Sequence, residues 1–181
     1  PLPHTKCIGT HDPAEAFRVA EYHAYIEFDT RRACQQTGFR RLELPVRRIQ
    51  TEANHNLILQ QLERCMAERA LFSVDIEGGV NGISCIGIAR SPSDCFVIPF
   101  FDRQGNRTFT EDVEATILRA LAHVLANPSI PKVLQHSLYD NFVLTYIYRM
   151  PIFGVIDDTM VKHMEYFCEL PKSLAFQTSI H

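Results

Sequence analysis

From residue 71 onward, short apolar runs alternate with clusters of turn residues. Residues 71–74 form one apolar run and residues 83–89 another, each the length of a buried strand. Between them lie Gly78, Gly79 and the pair Asn81-Gly82, a strong hairpin signal in a loop longer than two residues. The pattern predicts strands over 71–76 and 83–89, and a third over 95–100 after the turn Ser91-Pro92-Ser93-Asp94. Gln104-Gly105-Asn106 marks a loop. Thr110 is placed to cap a helix over 111–126, whose first turn carries Glu111, Asp112 and Glu114, as the helix dipole favours. Strand 132–135, helix 138–149, strand 153–157 and helix 159–168 follow. Three meandering strands followed by βα units predict a mixed α/β sheet with helices packed on its faces.

The first third is less regular. Asp12-Pro13-Ala14-Glu15 reads as a helix start, with a capping Asp, Pro in the first turn and Glu three after the cap. A helix over 13–27 is expected, with Ala16, Phe17, Ala20 and Ala24 on one face. Residues 29–41 are polar and basic and read as a solvated loop. Residues 42–49 alternate as an edge strand does, and Pro45 argues against a central position. Thr51 is placed to cap a helix over 52–69, with Leu57, Leu59, Leu62, Cys65 and Met66 on its buried side.

A length of 181 residues suffices for one domain with a real core and an extension. The apolar fraction of 46% and charged fraction of 22% fit a soluble globular chain. The net charge of −3 excludes the overall basic footprint of a nucleic-acid scaffold, but not an enzyme that grips a few phosphates through metals. None of the six cysteines forms a C-x-x-C pair, so reduced, buried thiols in a reducing compartment are expected rather than zinc. No apolar run approaches the roughly 20 residues of a membrane span, and no signal peptide precedes the first strand. The expected location is the cytoplasm. The chain opens at Pro1, as a processed or trimmed piece would.

Two carboxylates stand where an apolar strand ends. Asp75 and Glu77 are two apart, so they share a face about 6–7 Å from each other. At a buried edge they repel, and a positive partner is expected. Asp140 lies at the start of a helix, and Asp157 and Asp158 lie before the last one. Each alone has an ordinary reading: a solvated strand end, a first-turn acid, helix caps. His136 alone reads as a polar loop residue. Together, acids from separate segments can converge on one sheet edge, where hard cations such as Mg2+ or Mn2+ prefer oxygen ligands.

The stretches "FSVDIEGG", "VLQHSLYDNFVL" and "VIDDTMVKHMEYFCELPKSLAF" resemble motifs of the DEDD superfamily of 3′–5′ exonucleases. The resemblance is nearest to the proofreading exonuclease domain of family A, polymerase I-type and phage-like, DNA polymerases. It runs from about residue 49 to 181 and implies an RNase H-like fold. The expected division is an N-terminal helical extension over 1–40 and an exonuclease domain over 41–181 that stops before the family's third motif. By position, Asp75 and Glu77 resemble metal ligands of the first motif. Asp140 resembles the acid of the second motif, which acts on a second metal. Gln135, His136 and Tyr139 fall where the family contacts the 3′-terminal nucleotide. Asp158 falls on a position that is structural in the family and holds the last helix in place.

Three departures stand out. His136 replaces the usual Asn. Gly78 replaces a Thr that often follows the Glu of the first motif. The third motif, a Tyr with an Asp four residues later, would lie beyond Leu174 and is not found before His181. The resemblance implies removal of nucleoside 5′-monophosphates from DNA 3′ ends, with two divalent ions, Mg2+ or Mn2+, holding the scissile phosphate. The partners it implies are a single-stranded DNA 3′ end, a polymerase domain in the same longer polypeptide, and a second copy through the truncated surface; no membrane partner is expected. A bacterial or phage-infected cell is the implied setting. Two alternatives stay open: an exonuclease-like module that binds nucleic acid or a polymerase without cutting, and a split protein whose missing helix comes from another polypeptide.

Overall fold

The computed structural model describes residues 6–38, 46–79 and 81–180. They divide into two compact units, one within 46–159 and the other formed by residues 6–38 with 160–180. In chain order the elements are α1 (Pro13–Ala16), α2 (Glu21–Gln36), β1 (Arg48–Gln50), α3 (His55–Glu68), β2 (Phe72–Gly79), β3 (Gly82–Ser91), β4 (Asp94–Pro99), α4 (Glu111–Ala126), β5 (Lys132–Leu134), α5 (Ser137–Phe142), a π-helical turn (Val143–Ile147), β6 (Val155–Asp158), α6 (Thr159–Tyr166) and α7 (Leu174–Ile180).

The six strands form one mixed sheet in the order β1-β4-β3-β2-β5-β6. Strands β2, β3 and β4 run antiparallel as a meander, whereas β5 joins β2 and β6 joins β5 in parallel. This is the expected α/β architecture, consistent with the RNase H-like class. Strand period sets the layering. Phe72, Val74 and Ile76 of β2 face the core, as do Ile86 and Ile88 of β3 and Phe96 and Ile98 of β4. Ile58, Leu62 and Cys65 of α3 and Ile117, Leu121, Val124 and Leu125 of α4 belong to the same cluster. Each fully buried aliphatic side chain there stabilises the fold by about 1.5–3 kcal/mol. Leu71, expected inside the first strand, precedes it and is exposed.

One buried cation closes this unit. Lys132, at the start of β5, is wholly inaccessible, and its Nζ donates to the carbonyls of Asn127, Ile130 and Phe153, each at 2.9 Å. Desolvation pulls its pKa down to about 8. The three carbonyl dipoles favour the ammonium form and oppose that pull.

Several expected boundaries shift, each for a local reason. Asn54, not Thr51, caps α3; its Oδ1 accepts from the Leu57 N–H at 3.3 Å, one turn nearer the apolar face. Thr110 occupies the cap position of α4, but its hydroxyl makes no capping bond. β1 is a short edge strand, as Pro45 suggested, but it begins only at Arg48; residues 42–45 of the expected strand lie outside the described residues. The helix expected over 138–149 runs as α5 to Phe142 and then widens into the π-turn, with the Tyr148 N–H bonding back to the Val143 carbonyl.

In the other unit, α1 starts as expected, with Asp12 Oδ1 accepting from the Ala14 N–H at 2.9 Å. It stops after one turn, and Phe17, expected on the buried face, is 88% exposed. Helix α2 then runs through Gln36, so residues 29–36 are helical rather than looped. Their charges sit at helical spacing, with Arg31 paired to Glu27 at 2.7 Å. The rest of that expected loop, 39–41, lies outside the described residues. Tyr25 of α2 meets Phe176 of α7 edge to face, ring centroids 4.9 Å apart. All six cysteines are free thiols, but only Cys65 is buried; Cys7, Cys34 and Cys168 are exposed. Among the described residues no helix is long and apolar enough to cross a membrane.

Candidate active site

Strand β2 outruns its parallel neighbour. The β2–β5 ladder covers only Phe72 and Ser73, and β5 ends at Leu134. Beyond that point the β2 backbone has no strand on that side among the described residues, and the first turn of α5 fills the place. The buried Asp140 carboxylate accepts the Ile76 N–H through Oδ1 at 3.3 Å. Ile76 lies between Asp75 and Glu77, whose side chains point to the face opposite the core. Asp75 and Glu77 thus share one face at the carboxyl end of β2, and Asp140 of α5 is anchored on the same strand.

Their electrostatics are unfavourable without a cation. Burial, then the charge of Asp75, pushes Asp140 up to about 6, and the Ile76 N–H and His136 only partly counter this. Asp75 is also raised, by burial and then by Glu77. Among the described residues no Lys or Arg pairs with any of the three. Opposite Asp75 on β3 stands Gly87, with nothing within 4 Å of where a Cβ would be. The floor beside Asp75 is open.

The remaining residues frame this edge. The Tyr139 hydroxyl donates to the Gly78 carbonyl at 3.1 Å, fixing α5 to the end of β2. A Cβ at Gly79 would come within 2.9 Å of that hydroxyl. Gly78 itself has φ +116°, next to the register shift after Glu77, and a Cβ there would lie 2.3 Å from the Gly82 carbonyl oxygen. The bulge therefore demands glycine where the exonuclease motif often has Thr. His136 is exposed and left-handed, at φ 59°, directly before α5. Gln135, half-buried, occupies the same link.

Asp158 accepts from the His136 N–H at 3.1 Å through Oδ1 and from the Ser137 N–H at 2.7 Å through Oδ2. It caps the start of α5, the helix of Asp140.

Cys85 was not foreseen. It faces Glu77 across the β2–β3 ladder, and its thiol pKa is raised by burial, then by Glu77 and Asp75. The bulge hides it: counting back evenly from the turn pairs Glu77 with Ser84 instead.

The donor set is all carboxylate oxygen, which suits a hard divalent ion. Among the described residues, however, no three His, Cys, Asp or Glu side chains stand close enough together to enclose a metal ion.

Neither a family model nor a curated protein matches the chain. Solved structures do. The EXD2 exonuclease domain soaked in Mn and GMP is 18% identical with a TM-score of 0.44, over 67% of this chain and 58% of that one. The same domain soaked in Mg is 16% identical with a TM-score of 0.43, over 66% and 58%. The POL domain of Pol1 from M. smegmatis, in complex with DNA primer-template and dNTP, is 22% identical with a TM-score of 0.46, over 65% and 19%. The chain thus spans somewhat more than half the length of the EXD2 domains. Likeness at this level assigns no activity; the chemistry has to come from the chain's own residues.

Proposed function

We propose that the protein is a divalent-metal-dependent 3′–5′ exonuclease that removes nucleoside 5′-monophosphates from single-stranded DNA 3′ ends. One observation carries the reading: Asp75 and Glu77 share a face at the end of β2, Asp140 is anchored on the same strand, and no Lys or Arg pairs with any of the three among the described residues. The resemblance of the surrounding motifs to family A polymerase exonuclease domains supports proofreading beside a polymerase domain as the setting.

Asp75, Glu77 and Asp140 would hold Mg2+ or Mn2+, two ions in the reading the motifs imply. Such ions would supply an activated water and stabilise the departing 3′ oxygen. Asp140 is locked by the Ile76 N–H, so its second oxygen has a fixed direction. In this reading Tyr139 and His136 would contact the terminal nucleotide, and Asp158 keeps the His136 link in place through two backbone bonds. Gly78 offers no hydroxyl, so substrate contact there falls to the backbone.

A second reading, a module that binds nucleic acid without cutting, is favoured because no three His, Cys, Asp or Glu side chains among the described residues are grouped so that they could hold an ion. Digestion of 5′-labelled single-stranded and 3′-recessed oligonucleotides with Mg2+ or Mn2+ separates the two. Stepwise shortening from the 3′ end, lost on chelation and in Asp75→Ala/Glu77→Ala, is the expected result. A folded protein that binds the oligonucleotides but leaves them intact would favour the second reading.

A further inference from the structure

The outer side of α5 and its π-turn is apolar. Leu138, Tyr139, Phe142, Tyr146 and Ile147 are all exposed, Phe142 by 47% and Tyr146 by 64%. Asp140, Val143 and Leu144 fill the inner side. The rings of Phe142 and Tyr146 are already paired, centroids 5.6 Å apart and planes 33° from parallel. A solvated helix face made this way gains nothing for the fold.

Three features say what would cover it. The stripe begins at the candidate site, because Tyr139 precedes Asp140 and its hydroxyl is tied to Gly78 at the end of β2. The centre of the stripe is aromatic, and a ring face stacks on any base without regard to sequence. The charge is permissive for a polyanion: residues 141–154 contain no Asp or Glu, and the exposed Arg149 makes no ion pair among the described residues. π-Turns also recur at functional sites, and here the widened turn lies at the pair's second ring.

We propose that Tyr139, Phe142 and Tyr146 form a stacking ladder for the unpaired bases of a single-stranded nucleic acid whose 3′ end lies at the carboxylates. The choice of occupant rests on the nuclease reading above. The ladder would select frayed, unpaired ends without a basic surface, since a paired duplex cannot offer its base faces. Arg149 adds a phosphate contact at the far end.

The chain has no tryptophan, so Tyr146→Trp places a single indole in the ladder. Its emission is titrated in EDTA, without cleavage, against a short oligothymidylate and an abasic oligomer of the same length. The expected result is quenching by the oligothymidylate and at least about 5-fold weaker binding of the abasic oligomer. In parallel, anisotropy of labelled oligothymidylate should show at least about 5-fold loss in Phe142→Ala/Tyr146→Ala, with binding retained in Phe142→Tyr/Tyr146→Phe. A circular dichroism spectrum shows that each variant is folded. Equal affinity for the two oligomers would overturn the ladder. So would a wild-type dimer by sedimentation that Phe142→Ala/Tyr146→Ala dissolves with oligonucleotide binding unchanged; the stripe would then be a self-association face. Base-dependent binding without cleavage would sink the nuclease reading alone, and metal-dependent cleavage with base-independent binding would sink the ladder alone.

Discussion

Asp140 is a carboxylate held where ionisation is unfavourable. Its folded pKa, about 6, lies above the 3.8 of an unperturbed Asp. Between those values the folded chain binds more protons than the unfolded one, so stability falls as pH rises from about 4 to 6 and then levels off. Asn keeps the oxygen that accepts the Ile76 N–H but carries no charge. Asp140→Asn should therefore stabilise the metal-free protein at pH 7 by up to about 3 kcal/mol. The gain should vanish near pH 4, and metal-dependent cleavage should be lost at every pH. Urea denaturation across that pH range reads it; a variant less stable than wild type at pH 7 would contradict the account. The pair Asp75 and Glu77 was legible because strand period alone puts residues two apart on one face. Cys85 was not, because one extra residue in the β2–β3 ladder changes every pairing on the far side of the bulge. The need for glycine at 78 was hidden for the same reason.

At the scale of elements, two polar side chains hold joints that the apolar pattern does not. Asp158, on β6, fixes the start of α5 through two backbone N–H groups. Asp158→Ala should lower stability by about 1–2 kcal/mol. It should also slow cleavage, because α5 carries Asp140; thermal melts with the digestion assay test both, and unchanged activity would exclude the positioning role. Lys132 ties the α4–β5 link to the chain before β6 through three carbonyls. Lys132→Met keeps the bulk but leaves three carbonyls without that donor, each at a cost of about 1–3 kcal/mol. A loss of at least about 3 kcal/mol in urea is expected, and a loss below 1 kcal/mol would mean that water replaces the ammonium. The β2–β3 hairpin and α4 were legible from Asn-Gly and from a clean acidic first turn. The break after α1 was not: residues 17–20 contain neither Gly nor Pro. The π-turn was not either, since the apolar period of residues 138–149 fits a regular helix equally well.

For the chain as a whole, the sequence read as a helical extension over 1–40 followed by a domain of three meandering strands and βα units, and residues 160–180 cluster with the N-terminal helices. Helix partners depend on contacts between distant residues, such as Tyr25 with Phe176, which no local pattern reveals. Within residues 46–159 the sheet and the carboxylates form a thermodynamic unit, because an ion that binds only the folded site stabilises everything that must unfold to release it. At a Mn2+ concentration 100 times its dissociation constant, the stabilisation is about 2.7 kcal/mol. For a chain of this size that raises Tm by roughly 5–10 °C. Protons compete for Asp140, so the shift should be full above pH 7 and shrink as pH falls through about 6, where that carboxyl takes up its proton. Asp75→Asn and Asp140→Asn should each abolish most of it while leaving the metal-free melt cooperative. Scanning calorimetry with and without Mn2+ at pH 5 and pH 7.5 measures the effect independently of catalysis. A folded wild type whose Tm ignores Mn2+ at pH 7.5 would show that the three carboxylates do not bind the ion, and their mutual repulsion would then need another cation to explain it.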